Sequence, residues 1–229
     1  MNKTLLAIGA HYDDCVFGVP GIMLQAVRKH YRVVNLSLIG DYSNWAPIGE
    51  RQKELLRGTA EISREYGVET RYLDFQSHLF DINAETKRAV AKAVAEIEPD
   101  VALFLWRHDR HDDHVVASQL SSIALRYASP LLENRPVRGP RRQYMYDNGP
   151  RHTIGFEPDT YVDVSDVWEN AIDWLGRFMA LVRDEPYDST RRDGAQLMKE
   201  SIAAYRGKTC GVRYAEALKT VDAYPQDIL

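Results

Sequence analysis

The sequence predicts an α/β fold, a Rossmann-like three-layer sandwich with a mostly parallel sheet and helices on both faces. Short apolar runs at residues 4–9, 32–39 and 101–106 have the length and composition of buried strands, and residues 68–75 are a further strand candidate. Stretches with helical apolar spacing separate them, and that alternation builds βαβ units and a parallel sheet covered on both sides. At 229 residues and 45% hydrophobic content, the chain suits one well-packed domain spanning residues 1–229.

The first strand, residues 4–9, runs into a loop marked by Gly18 and Gly21, and residues 16–30 then show helical spacing that ends on Lys29-His30. Gly40 and Asp41 close the second strand. Residues 42–48, with Trp45 and Pro47, form a loop able to overhang a pocket. A helix over 50–66, stopped by Gly67, leads to the third strand and then to a rim loop, Gln76-Ser77-His78-Leu79. Asn83 caps a helix reaching Ile97, which Glu98-Pro99-Asp100 terminates. The fourth strand is followed by a helix from His114 through Tyr127, ended by Pro130. Residues 143–146 and 160–164 read as short strands, and Asp166 as the cap of an amphipathic helix through Val182. Residues 195–205 and 214–224 read as two further helices. There is no internal repeat or linker.

A formal charge of -4 gives no electrostatic reason to expect nucleic acid or an anionic membrane as partner. Two distant cysteines, Cys15 and Cys210, do not make a disulfide framework and favour a reducing compartment. Met1-Asn2-Lys3 leads into a strand-length run rather than a signal segment, and no apolar stretch reaches membrane-spanning length, so a cytoplasmic location is expected. A homo-oligomer is left open.

Two polar clusters carry the chemistry. Ala10-His11-Tyr12-Asp13-Asp14-Cys15 follows the first strand, and Arg107-His108-Asp109-Arg110-His111-Asp112-Asp113-His114 follows the fourth. Ligands in open α/β sheets collect at these carboxyl ends. Zn²⁺ and similar ions at hydrolytic sites take about three His or carboxylate ligands and leave a position for water. His11, Asp14 and His114 supply such a set, and Asp13 is a neighbouring carboxylate able to receive a proton. His111, three residues before His114, shares its face if a helix starts here, and as an imidazolium it would stabilise an oxyanion. Asp113 or Asp109 could orient that ring and raise its pKa. Taken singly, an Asp-Asp pair at a strand-to-helix junction is often an N-cap and a loop histidine is ordinarily solvated. Two such clusters at two strand ends outweigh that reading.

With these motifs the chain resembles the LmbE-like, or PIG-L, metal-dependent N-acetylglucosaminyl deacetylases. Their signatures, Ala-His-Pro-Asp-Asp-Glu and His-Pro-Asp-His, stand here as residues 10–15 and 111–114. Gly18, Gly21, Arg51 with Glu54, the strand from Pro158 to Val164, and Tyr214-Ala215-Glu216-Ala217 extend the similarity over most of the chain. The resemblance implies His11, Asp14 and His114 as zinc ligands, Asp13 as general base, His111 as the oxyanion-stabilising or acid residue, Asp113 as its orienting partner, and Arg51 as a substrate contact. The chain departs from the pattern at Tyr12, at Cys15 and at Ser77-His78, where relatives carry an Asp-Gly pair. Cys15 is expected to be buried and small rather than a soft metal ligand.

The leading expectation is therefore a hydrolase, dependent on Zn²⁺ or another divalent metal, that removes an acyl group such as acetyl from an amine of a small glycoside or related metabolite. An amidase or biosynthetic enzyme acting on a non-sugar substrate is the alternative within the fold. A non-catalytic metal-binding or small-molecule-binding protein is the rival from another class, and the presence of Asp13 and His111 speaks against it.

Overall fold

The computed structural model describes residues 3–225; residues 1–2 and 226–229 of the expected domain lie outside them. Among the described residues the sheet has seven strands: β1 (Thr4–Gly9), β2 (Arg32–Asp41), β3 (Val68–Gln76), β4 (Val101–Leu105), β5 (Arg142–Tyr146), β6 (Thr160–Asp163) and β7 (Ala215–Thr220). Their order is β3-β2-β1-β4-β5-β7-β6. The first five run parallel, with Leu5 opposite both Val33 and Val101. Strand β7 is antiparallel to β5 and β6. β1 is buried along its whole length and β2 from Val33 to Ile39, the continuous apolar pattern of parallel strands covered on both faces.

Seven helices complete the layers: α1 (Asp14–Gly18), α2 (Pro20–Arg28), α3 (Gln52–Glu65), α4 (Ala84–Ile97), α5 (Asp112–Leu131), α6 (Trp168–Arg183) and α7 (Gly194–Cys210). Helices α4 and α5 pack on each other, while α2, α3 and α7 gather around α6. Right-handed crossovers account for the division. The chain steps outward from β1 to β2 and β3, then returns through α4 to β4 on the other side of β1, which puts α4 on the opposite face. A crevice therefore opens between the carboxyl ends of β1 and β4. The large side chains of α6, Trp168, Trp174 and Phe178, are fully buried, as their helical spacing predicts. No helix among the described residues is long and apolar enough to cross a membrane.

Several elements differ from the sequence expectation. The helix expected over 16–30 is two helices broken at Val19, because Pro20 has no N–H to continue the first. Gly18 lies within α1 rather than in a loop, and a Cβ there would collide with the Tyr146 ring. Helix α5 starts two residues earlier than expected, with His111 as its N-cap, and it runs through Pro130 with a kink at Tyr127. Asp166 caps nothing; it sits in a single 3-10 turn, and Asp163 instead accepts from the Ser165 N–H. Helix α7 runs five residues past Tyr205, opened by a reciprocal Asp193–Gln196 capping box. The helix expected over 214–224 is strand β7, because its Ala, Glu and Leu residues pair with β5 and β6 and tertiary pairing overrides local propensity.

Candidate metal centre

The ends of β1 and β4 bring His11, Asp14 and His114 together. His11 Nδ1 lies 3.2 Å from His114 Nε2, and His114 Nε2 lies 3.2 Å from Asp14 Oδ1. Local backbone geometry sets this up. Asp14 Oδ2 accepts hydrogen bonds from the N–H groups of Ala10 (2.7 Å) and His11 (2.8 Å), so the turn after β1 wraps around the carboxylate. A Cβ on Gly9 would come within 2.7 Å of the Asp14 Cβ, so this fold-back needs glycine. Asn148, just past β5, donates to Asp14 Oδ1.

This donor set fits a divalent ion. Two ligands at Zn–N distances near 2.0–2.1 Å on one tetrahedral edge stand about 3.3 Å apart, and the two imidazole nitrogens are 3.2 Å apart. Each histidine also has a carboxylate at its far nitrogen: Asp113 Oδ2 is 3.1 Å from His11 Nε2, and Asp109 Oδ2 is 3.2 Å from His114 Nδ1. The hydrogen bond to Asp113 fixes the His11 tautomer and leaves its facing nitrogen to an ion, while Asp109 stands within ion-pair distance of the His114 ring. Burial alone would lower both imidazole pKa values. Hydrogen bonds to Asp113 and Asp14 reverse that for His11, pushing it up to about 9. The Asp14 charge and the Asp109 contact push His114 up to about 10. Asp14 is held well below the usual carboxylate range, against its burial, by His114 and His11. The centre thus has a strong preference for positive charge.

Asp13 occupies the N-cap position of α1 but makes no side-chain cap bond, and its carboxylate faces the pocket. Burial, and then the Asp14 charge, push its pKa up to about 6, in the range of a base working near neutral pH. His111 accepts the Asp113 N–H at Nδ1 (3.3 Å), which puts its own proton on Nε2. Its ring stacks on that of His114, as the i, i+3 spacing predicts, with 4.8 Å between centroids. Burial, followed by the charges on His11 and His114, lowers its pKa to about 4. With Nδ1 occupied by the Asp113 N–H, the His111 ring presents an N–H donor, where the sequence reading allowed an imidazolium.

Two other expectations are corrected. The Asp113 carboxylate bonds His11, the Ser77 hydroxyl (3.2 Å) and the His78 N–H (3.0 Å), and it does not bond the His111 ring. Asp113 lies in the first turn of α5, and its side chain turns toward the end of β1. Arg51 does not line the pocket. Its guanidinium donates to the Leu181 carbonyl (3.1 Å) and lies 3.3 Å from Asp184, at the carboxyl end of α6, with Glu54 at 3.7 Å. A cation is favourable at that helix end, which accounts for the placement. Cys15 is buried, as expected, and its sulfur lies 3.2 Å from the Tyr146 hydroxyl, outside the donor cluster.

The centre opens into a cavity of about 570 Å³ lined by Phe17, Trp45, Met179 and Met198, and also by His78 and Arg151. Trp45 comes from the loop expected to overhang a pocket. Asn148, Arg151 and His152 were not legible in the sequence, because nothing in residues 147–153 repeats the His-Asp pattern of the two clusters.

A doubly covered α/β sheet with a His-Asp-His donor set at its switch point defines a class of α/β protein with a candidate metal centre. The family model for PIG-L, GlcNAc-PI de-N-acetylase, matches residues 6–125, and the chain belongs to that family. It is 26% identical over 237 residues to a diacetylchitobiose deacetylase of Thermococcus kodakarensis, covering 96% of this chain and 83% of that relative. Among solved structures, the N,N'-diacetylchitobiose deacetylase of Pyrococcus horikoshii aligns with a TM-score of 0.74 at 19% identity, covering 96% of this chain and 84% of that one. The 4-carboxy-2-hydroxymuconate hydratase of Pseudomonas putida aligns with a TM-score of 0.80 at 18% identity, covering 99% of both chains. A hydratase and a deacetylase share this fold, so the reaction has to be argued from the site residues.

Proposed function

We propose that this protein is an N-deacylase, dependent on Zn²⁺ or another divalent metal, that releases an acyl group, acetyl foremost, from an amine of a small glycoside or related metabolite. In this reading residues 1–229 act as one domain. The two cysteines, both free, support a reducing, cytoplasmic setting. One observation carries the reading: the Asp13 carboxylate, which makes no cap bond, and the His111 imidazole, whose Nδ1 is taken by the Asp113 N–H, border the same pocket as the His11–Asp14–His114 set.

His11, Asp14 and His114 would hold the ion, which when bound supplies a Lewis acid for the amide carbonyl and a water acidified toward neutral pH. Asp13 takes the proton of the attacking water. His111 Nε2–H donates to the carbonyl oxygen as negative charge develops on it. Asp13, now protonated, returns the proton to the nitrogen as the C–N bond breaks, giving a carboxylic acid and an amine. Asp113 and Asp109 keep His11 and His114 oriented, and Asn148 keeps Asp14 oriented. Arg51, at the end of α6, has no part in the step.

The test is amine release from a panel of N-acyl substrates with and without chelator, run beside Asp13→Asn. The variant should stay folded and keep its metal while kcat falls by about 10²-fold or more. Unchanged turnover in Asp13→Asn would end the general-base role, and turnover indifferent to chelator would end the metal role.

A further inference from the structure

Resting on the deacylase reading above, and taking within it the non-sugar substrate that the sequence left as the alternative, we propose that the amine released by this enzyme carries an apolar body and a carboxylate, so that the substrate is in chemical class an N-acyl amino acid, and that Arg151 takes the carboxylate. One wall of the cavity is apolar. Phe17 comes from α1, Trp45 from the loop after β2, Met179 from α6, and Ala195 and Met198 from α7. Methionine and aromatic walls of this kind accommodate alkyl or aryl groups.

The carboxylates of the lining, Asp13 and Asp14, are both at the reaction centre, so a charged group on the substrate meets cations and not acids at the far end of the cavity. The Ser77 hydroxyl donates to Asp113, and the Asn148 amide N–H donates to Asp14.

The cations of the lining differ from one another in a way that singles out Arg151. Arg183 is already neutralised, 2.7 Å from Asp193 and 3.1 Å from Glu185. Arg151 lines the same cavity, and among the described residues no carboxylate forms an ion pair with it. Its backbone is tied to the reaction centre. The Asn148 N–H donates to the Thr153 hydroxyl, the Arg110 N–H to the His152 carbonyl and the Ile154 N–H to the His108 carbonyl, each at 2.9 Å. The loop bearing Arg151 is thereby pinned to the β4–α5 loop that bears His111 and His114. A single planar guanidinium matches a planar carboxylate two bonds to two, whereas a phosphate dianion calls for more donors than this wall has.

The test reads binding without turnover. Metal-loaded Asp13→Asn protein is titrated calorimetrically with the N-acetyl derivatives of phenylalanine and leucine, with their primary amides, and with N-acetylglucosamine. An acid should bind about tenfold or more tighter than its amide, the worth of a hydrogen-bonded charge pair, and N-acetylglucosamine should bind more weakly than either. Adding Arg151→Gln should bring acid and amide within about twofold of each other. The proposal is overturned if neither acid binds, if acid and amide bind alike before Arg151 is changed, if N-acetylglucosamine binds tightest, or if the preference for the acid survives Arg151→Gln, which would place the carboxylate on the metal. Lack of hydrolysis by the unaltered holoprotein would count against the deacylase reading alone, and the binding comparison would stand.

Discussion

Asp13 and Asp14 are adjacent, of one type, and different in every environment that matters. Asp14 folds back onto the N–H groups of Ala10 and His11, and Asp13 is left facing the cavity. The pair and the divergence of its two side chains were legible in the sequence, because a strand-end loop sends neighbouring side chains in different directions. It did not make Asn148 or the true partner of Asp113 legible, since those bonds span 134 and 102 residues and depend on the rim being assembled. Cys15 shows how a departure from a family pattern can be chemically silent. Its sulfur meets the Tyr146 hydroxyl, which itself donates to the Ile8 carbonyl, and burial pushes the thiol pKa up, away from the thiolate form a metal would take. Cys15→Ser should therefore leave zinc affinity within about twofold, whereas loss of a thiolate ligand would weaken it by orders of magnitude. Competition against a chromophoric chelator measures the difference, and a large drop would make Cys15 a ligand.

Among the elements, β7 is where local preference and final structure disagree most. Its residues are good helix formers, and the pairing with β5 and β6 is invisible until the sheet exists. The strand also carries a device that no periodicity announces. Glu216, 0% exposed, accepts from the N–H groups of Gly21 and Ile22 and so caps α2 from a distant strand, supplying the bond that Val19 does not. Lys199 on α7, 2% exposed, lies 3.1 Å from Glu216 and donates to the Gly18 carbonyl at 2.7 Å. One buried ion pair thus ties β7, α7 and both sides of the α1–α2 break, directly after the segment that holds Asp14. Lys199→Met leaves a buried carboxylate without its counter-charge and should cost about 3–5 kcal/mol of stability. The double variant Lys199→Met, Glu216→Gln should recover part of that loss, since the uncompensated charge is gone. Urea unfolding of the two single variants and the double variant measures the coupling. A Lys199→Met cost under about 1 kcal/mol would mean that the pair does not hold the break.

At the scale of the whole molecule, strands buried on both faces are nearly continuous apolar runs, which is why β1, β2 and β4, and with them the sheet type, stood out in the sequence, while β3 and β5 were legible only as strand-length stretches. The rim was legible in outline only: β1 and β4 declare their ends with His and Asp, while β3 contributes through Ser77 and His78, and β5 through Asn148, by contacts that arise on assembly. Four strand ends meet at one centre, and its three proposed ligands come from positions 11, 14 and 114, so an ion bound there closes the molecule between elements about a hundred residues apart in sequence. An ion that binds only the assembled rim stabilises the folded state by mass action, about 2.7 kcal/mol at a free concentration a hundred times Kd. For a chain of this length each kcal/mol raises Tm by roughly 2–4 °C, so zinc at that concentration should raise Tm by roughly 5–10 °C over chelator-treated protein. His114→Ala removes one nitrogen of the donor set and should abolish the shift, although the variant still folds in chelator. Differential scanning calorimetry of both proteins with and without zinc decides the matter. A Tm indifferent to zinc in the unaltered chain, or an equal shift in His114→Ala, would remove the ion from this centre.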